Sequence, residues 1–180
     1  MNIEDTNYSE VFTIDEGNVV ELLLKFMKKQ PKNSRFYAHN LTYDYAIIRS
    51  WCHFNPDNKI TPTNNDFITN NDKILKLQLS FKSKKITLVD SYPLFLSPLK
   101  DVMKSFTDLE KGTTPLYETI EDVIITKKDV DYCLNDSVGL AIAIKKRFEF
   151  GNNEMTLASG AKSIWSNKMA KNFPELKQKL

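Results

Sequence analysis

Apolar residues recur at helical spacing through 19–30, VVELLLKFMKKQ, and this run follows Asn18, a good helix cap, and ends in lysines before Pro31. The pattern predicts a first helix. Upstream, Val11 to Ile14 has the composition of a short strand. Arg35 to Ala38 is a brief aromatic run that reads as a buried strand, and Tyr43 to Trp51 returns to helical spacing, so a strand feeds a helix through HisAsnLeuThr. The Asn-rich stretch from Asn64 to Asp72 is polar enough to be a loop or hairpin tip. Lys73 to Phe81 alternates apolar and polar residues, and Lys84 to Val89 does the same after a turn at Lys82 and Ser83, which predicts an antiparallel hairpin. Pro93 and Pro98 interrupt the chain before a short helix from about Leu99 to Phe106, and a loop with Gly112 and Pro115 follows. A long helix then starts behind Thr126, with Asp129 and Asp131 in its first turn and Lys145, Lys146 and Arg147 near its end, as the helix dipole favours. A final helix runs from about Thr156 to Lys171. Strands and helices mixed in this order predict an α/β layer fold around a mixed sheet.

With 180 residues, 41% hydrophobic and 27% charged, the chain is the size of one globular domain and long enough to bury one sizeable core. The net charge is only +2, so any contact with nucleic acid has to be local. Cys52 and Cys133 stand far apart among apolar and aromatic neighbours, which predicts reduced, buried thiols rather than a disulfide framework or a zinc site. No apolar run approaches the roughly 20 residues needed to cross a bilayer, and the start, MNIEDTNYSE, is acidic rather than signal-like. The expectation is an intracellular protein in a reducing compartment, neither secreted nor membrane-bound.

Two acidic positions sit where a metal-dependent nuclease would need them. Asp44 lies at the strand-to-helix junction in HisAsnLeuThrTyrAsp (39–44), where the backbone is fixed and solvent reaches the carboxylate; the nearby Asn40 can hydrogen-bond a phosphate or a metal-bound water. In TyrCysLeuAsnAsp (132–136), Tyr132 and Asp136 are four apart on one helix and share a face, which sets a phenol beside a carboxylate. Taken singly, each feature is more often structural: an Asp at a strand end caps, and a Tyr–Asp pair packs and solvates. His39 reads as a core or hydrogen-bonded histidine and His53 as a helix-surface residue, and neither is assigned to catalysis.

Order and flanking sequence say more. FYAHNLTYDYAIIRSW and DVDYCLNDSVGLAIAI resemble the second and third exonuclease motifs of protein-primed family B DNA polymerases of phages and linear plasmids. Between them, ITLVDSYPLFLSPLKDVMKSF is similar to the family's AspSer segment with a Pro-containing helix start, and EMTLASGAKSIWSNKMAKNFPEL to its exit from the exonuclease domain. The resemblance spans the chain from about residue 1 to residue 180 and implies a ribonuclease H-like exonuclease fold, a mixed central sheet flanked by helices. It implies metal ligation by Asp44 and Asp136, with Mg²⁺ or Mn²⁺ as the cofactor. Asn40 and Tyr132 would orient the scissile phosphate and the attacking water, and Lys111 would contact the phosphate. Tyr43, Ser91, Tyr92 and Tyr117, together with Asn40, would hold the single-stranded 3′ end.

One departure limits what the resemblance implies. The family's first exonuclease motif, an Asp-x-Glu on the opening strand, has no counterpart here, because MNIEDTNYSE resembles the segment just after it; the first strand of the fold is therefore expected to be missing. The one Asp-x-Glu present, Asp108-Leu109-Glu110, falls between the other motifs and reads as surface charge. The expected function is the 3′–5′ proofreading exonuclease part of a protein-primed DNA polymerase, one partial domain over residues 1–180 that ends before the polymerase palm. Its expected partners are a single-stranded DNA 3′ end, the parent polymerase domain and a terminal protein primer, in host cytoplasm or an organelle. Activity of the chain alone is expected to be weak or nil. The rival expectation is an inactive remnant that binds single-stranded DNA or a polymerase.

Overall fold

The computed structural model describes residues 17–63, 66–68, 73–82, 84–112, 124–149, 154 and 156–172. The first helix, α1 (Val19–Lys29), is capped by the Asn18 side chain, which accepts from the Glu21 N–H at 3.1 Å. It buries Leu24 and Met27. Next come β1 (Arg35–Ala38) and α2 (Thr42–Phe54), then a single 3₁₀ turn at Pro56–Asn58. Two short strands, β2 (Ile60–Pro62) and β3 (Phe67–Ile68), precede the hairpin of β4 (Ile74–Phe81) and β5 (Lys84–Asp90). The helices α3 (Tyr92–Phe95), α4 (Leu99–Phe106), α5 (Lys127–Glu149) and α6 (Leu157–Asn172) complete the described chain.

The five strands form one mixed sheet in the order β1-β5-β4-β2, with β3 also pairing β4. β5 runs antiparallel to β4 and parallel to β1, so β1 and β5 end side by side, Ala38 opposite Asp90. Alternation on the hairpin sends Leu77, Leu79, Phe81, Ile86 and Leu88 to one face, where they cluster with Leu24, Met27, Ile48 and Cys52 of α1 and α2. On the other face Tyr37 meets the Phe148 ring of α5 edge-on, centroids 5.9 Å apart. There α4 packs on α5 so closely that a Cβ on Gly139 would stand 2.6 Å from Met103 Cε. Helices thus cover both faces, and the site lies at the carboxyl ends of two parallel strands.

The expected mixed α/β fold is the observed one, with differences in detail. The polar stretch 64–72 is expected to be a loop or hairpin tip, yet Phe67–Ile68 within it form β3, and Asp66 anchors that strand by accepting from Tyr45 Oη, from Arg49 Nη1 and from the Gln78 N–H. Both β2 and β3 are too short for alternation to announce them. Cys52 is buried as expected, but Cys133 is exposed, because it occupies the outer side of α5. The expected strand at Val11 to Ile14 lies outside the described residues, as does Tyr117.

If this packing holds the domain together, Leu77→Ala, at a fully buried position, should lower the unfolding free energy by about 2–5 kcal/mol. Ile47→Ala, on the exposed side of α2, should change it by less than about 0.5 kcal/mol. Urea denaturation of both variants checks the contrast.

Candidate active site

Both parallel strands run into turns that face one another. Asn40, just beyond β1, adopts a left-handed backbone (φ 69°), which Asn tolerates better than most side chains. Its N–H donates to Asp90 Oδ1 at 2.9 Å, and the Tyr92 N–H donates to the same oxygen at 2.9 Å. Asp90 is buried and so clamps the exits of β1 and β5 together. Asp90 carries no site signal in the sequence, because its partners are backbone N–H groups that only the fold brings to it.

The second wall comes from α5. Tyr132, Asp136, Leu140, Ile144 and Phe148 follow one another at four-residue steps and form one stripe of the helix. The loop after α4 is stapled to its start, since Asn135 Nδ2 donates to the Glu110 carbonyl at 2.7 Å. Gly112 lies so near Tyr132 that an added Cβ would come within 3.0 Å of Cδ2. This brings Lys111 onto Asp136, with Nζ 3.0 Å from Oδ2, and places the ammonium 5.6 Å from the centre of the Tyr132 ring. Burial opposes the Lys111 charge, but hydrogen bonds to Asp136 and Tyr132 and the Asp136 charge outweigh it and raise its pKa. Asp136 Oδ1 is buried without a hydrogen-bond partner.

Between these walls is a cavity of about 1720 Å³, lined along the length of β1 and by Leu140, Ile144 and Phe148 of α5. Ser34 and Ala38 accept from the Thr87 and Ser91 N–H groups of the β5 side, so alternation turns the polar backbone of Arg35 and Tyr37 the other way, where no strand among the described residues pairs with them. At its strand-exit end the cavity collects Asn40, Asp44, Tyr92, Lys111 and Asp136 in its lining. Burial, reinforced by the negative charge of Asp90, pushes the Asp44 pKa up against the lowering effect of a backbone hydrogen bond.

Other expected site residues fall elsewhere. Tyr132 reaches the cavity only through Lys111, and Tyr43, 73% exposed, projects from the start of α2 outside the lining. Ser91, expected to touch DNA, is fully buried, and its hydroxyl lies within bonding distance of Ala38 O and His39 Nδ1; its role is internal, because no surface is left for a ligand. Tyr92 carries the Lys73 ammonium 5.7 Å from its ring centre and the His39 ring edge-on, so part of its aromatic surface is already covered. Asp108 and Glu110 are exposed and absent from the lining, in keeping with surface charge.

For a cation the fit is partial. A buried carboxylate oxygen without a partner, at Asp136, suits one, and so does the charge strain on Asp44. Among the described residues, however, no group of three or more His, Cys, Asp or Glu gathers to hold a metal ion. These residues supply part of a metal site and do not complete a two-metal one.

A sheet with a ligand-sized cavity at the carboxyl ends of its parallel strands, lined there by carboxylates and a lysine, defines an α/β domain built around a polar site. The family described as DNA polymerase type B, organellar and viral, matches residues 25–132, and the chain belongs to it. No curated protein sequence matches. The fold is similar to that of phi29 DNA polymerase: in the complex with single-stranded DNA the TM-score is 0.69 at 21% identity, over 89% of this chain and 30% of that one. In the post-translocation binary complex with primer-template DNA it is 0.72 at 20% identity, over 87% and 29%. The chain thus spans about 30% of the polymerase chains it matches. Among the described residues no helix is long and apolar enough to cross a membrane.

Two outcomes follow from the charges. Because the folded pKa of Asp44 stands above its ordinary 3.8, the unfolded chain ionises there first, so the fold loses stability as pH climbs from 3.8 through the raised folded value. Asp44→Asn should therefore gain stability relative to wild type at pH 7 but not at pH 3.5, measured by denaturant unfolding at both. Lys111→Met should cost about 1–3 kcal/mol at pH 7, since it strips the partner from a largely buried carboxylate, and the loss should shrink as pH rises from 10.5 through the raised folded value of Lys111. A pH-independent loss would contradict the pairing.

Proposed function

We propose that this chain is the 3′–5′ exonuclease part of a protein-primed family B DNA polymerase and that its cavity receives a single-stranded DNA 3′ end. The observation that carries the reading is the meeting of Asp44, Asp136 and Lys111 in one cavity at the exits of β1 and β5, in a chain of this polymerase family. The similar fold of a polymerase complexed with single-stranded DNA supports the choice of ligand.

Each residue has a task in this reading. Lys111, already charged and held by Asp136, meets the terminal phosphate; Asn40, fixed by Asp90, offers its side-chain amide to the same group. Tyr43, exposed beside Asp44, provides a face on which a base can stack, a contact worth about 1–3 kcal/mol per base. Tyr132 sets the position of Lys111 and through it the site where water attacks. Mg²⁺ or Mn²⁺, bound in part by Asp44 and Asp136, would supply the activation of that water and the neutralisation of the phosphate. Further carboxylates are needed to complete such a site, and the resemblance assigns them to an Asp-x-Glu strand.

Single-stranded DNA with a free 3′ end should bind more tightly than duplex, weaken as salt rises, and lose affinity by about 1–3 kcal/mol on Tyr43→Ala. Cleavage by the bare chain should be far slower than by the chain carrying an upstream Asp-x-Glu strand, and Asp136→Ala should abolish the gain. Equal affinity for single and double strands, unaltered by Tyr43→Ala, would sink the binding claim. Equal cleavage with and without the added strand would mean that other carboxylates complete the site, with Asp108 and Glu110 the first to test.

A further inference from the structure

His39 lines the cavity immediately after β1, and its two ring nitrogens have different partners. Nε2 is 3.1 Å from the Ser97 carbonyl, beyond α3, and Nδ1 is 3.0 Å from Ser91 Oγ. A carbonyl only accepts, so Nε2 carries a hydrogen whatever the charge of the ring. Ser91 Oγ is also 2.9 Å from Ala38 O, an oxygen that already accepts from the Ser91 N–H at 2.8 Å. The hydroxyl therefore has one hydrogen and two acceptors within reach.

We propose that His39 and Ser91 form a two-state proton relay that keeps the exits of β1 and β5 fixed while the cavity wall changes charge. With the ring neutral, Nδ1 presents a bare lone pair, and only the Ser91 hydroxyl can satisfy it; Ala38 O then keeps the Ser91 N–H alone. With the ring protonated, Nδ1–H donates to Ser91 Oγ, and the hydroxyl hydrogen turns to Ala38 O. Every heavy atom holds its place in both states, and Ser97 accepts from Nε2–H throughout. Ser91, with no access to solvent, is the one side chain whose rotation converts one state to the other. This assigns to His39 and Ser91 a positioning role and does not depend on the identity of the ligand in the cavity.

The surroundings decide which state prevails. Burial is the largest influence and holds His39 below its ordinary 6.5; the Ser97 carbonyl and Asp90 on β5 favour the cation, and Lys111 from the loop after α4 opposes it. The Tyr92 ring of α3 stands edge-on, centroids 5.6 Å apart. The ring is then neutral at pH 7, and acidification below 6.5 puts a positive charge on the cavity wall. By the same linkage the fold loses stability as pH falls from 6.5 through the depressed folded value, and this loss is absent above 6.5.

Heteronuclear NMR on the full chain tests the relay. The neutral ring should be the Nε2–H tautomer with a midpoint below 6.5, and the Ala38 carbonyl ¹³C shift should move with that midpoint in wild type but stay still in Ser91→Ala while His39 goes on titrating. An Ala38 shift that moves equally in Ser91→Ala reports direct field effects and overturns the relay. Should that variant fail to fold, the wild type decides alone: an Nε2–H tautomer with a co-titrating Ala38 carbonyl supports the relay, and an Nδ1–H tautomer or a silent Ala38 carbonyl overturns it.

Discussion

Asp90 Oδ1 accepts two backbone N–H groups, those of Asn40 and Tyr92, and through them ties the ends of the two parallel strands into one rim. The strand-exit side of the cavity hangs from that rim. The left-handed turn at Asn40 sets the start of α2 and hence Asp44, while the turn at Ser91 sets α3 and the Ser97 carbonyl that holds His39. Charge-assisted acceptance of backbone donors is among the stronger hydrogen bonds available to a fold, and burial of Asp90 spares it competition from water. Burial is the main cause of the raised pKa of Asp44, and the negative charge that does this mechanical work adds to it, so scaffold and site chemistry are coupled through one carboxylate.

Across the cavity the constraint is of a different kind. A stripe at four-residue steps on α5 fixes Asp136 in the same row as Leu140, Ile144 and Phe148, so the hydrophobic packing of the helix aims the carboxylate. Lys111 is delivered by a loop anchored at Asn135 and relieved of bulk at Gly112, and it satisfies only one Asp136 oxygen. The unpartnered oxygen is a standing electrostatic demand. A cation or an ordered water meets it at little cost, whereas an empty buried site carries the full desolvation penalty of that atom.

The larger elements were legible because their signals are strong. Asn18 before an apolar run, alternation on either side of Lys82, and acidic then basic ends on the long helix gave α1, the β4–β5 hairpin and α5 nearly residue for residue. Short strands were not: β2 and β3 are held by pairing to β4 and by the Asp66 hub, which are long-range effects that no local window contains. The site divided along the same line. Asp44, Asp136 and Lys111 meet in one cavity as their motifs suggested, but motif order says nothing of burial, so Ser91 was read as a ligand contact when it is a core tie. Asp90 went unassigned because a clamp on backbone N–H groups leaves no side-chain pattern to read.

In the proposed function the strand exits, and no other surface, receive the DNA 3′ end. Photocross-linking tests it most directly, with an oligonucleotide bearing 4-thiothymidine at its 3′ terminus and adducts mapped by mass spectrometry. The account predicts adducts confined to the turn after β1, to Tyr43 and Tyr92, and to the segment around Lys111. They should be lost when the label is moved to the 5′ end or when excess unlabelled single strand competes. Adducts concentrated on α1 or on the outer side of α6, or equal yields from both ends of the strand, would contradict it.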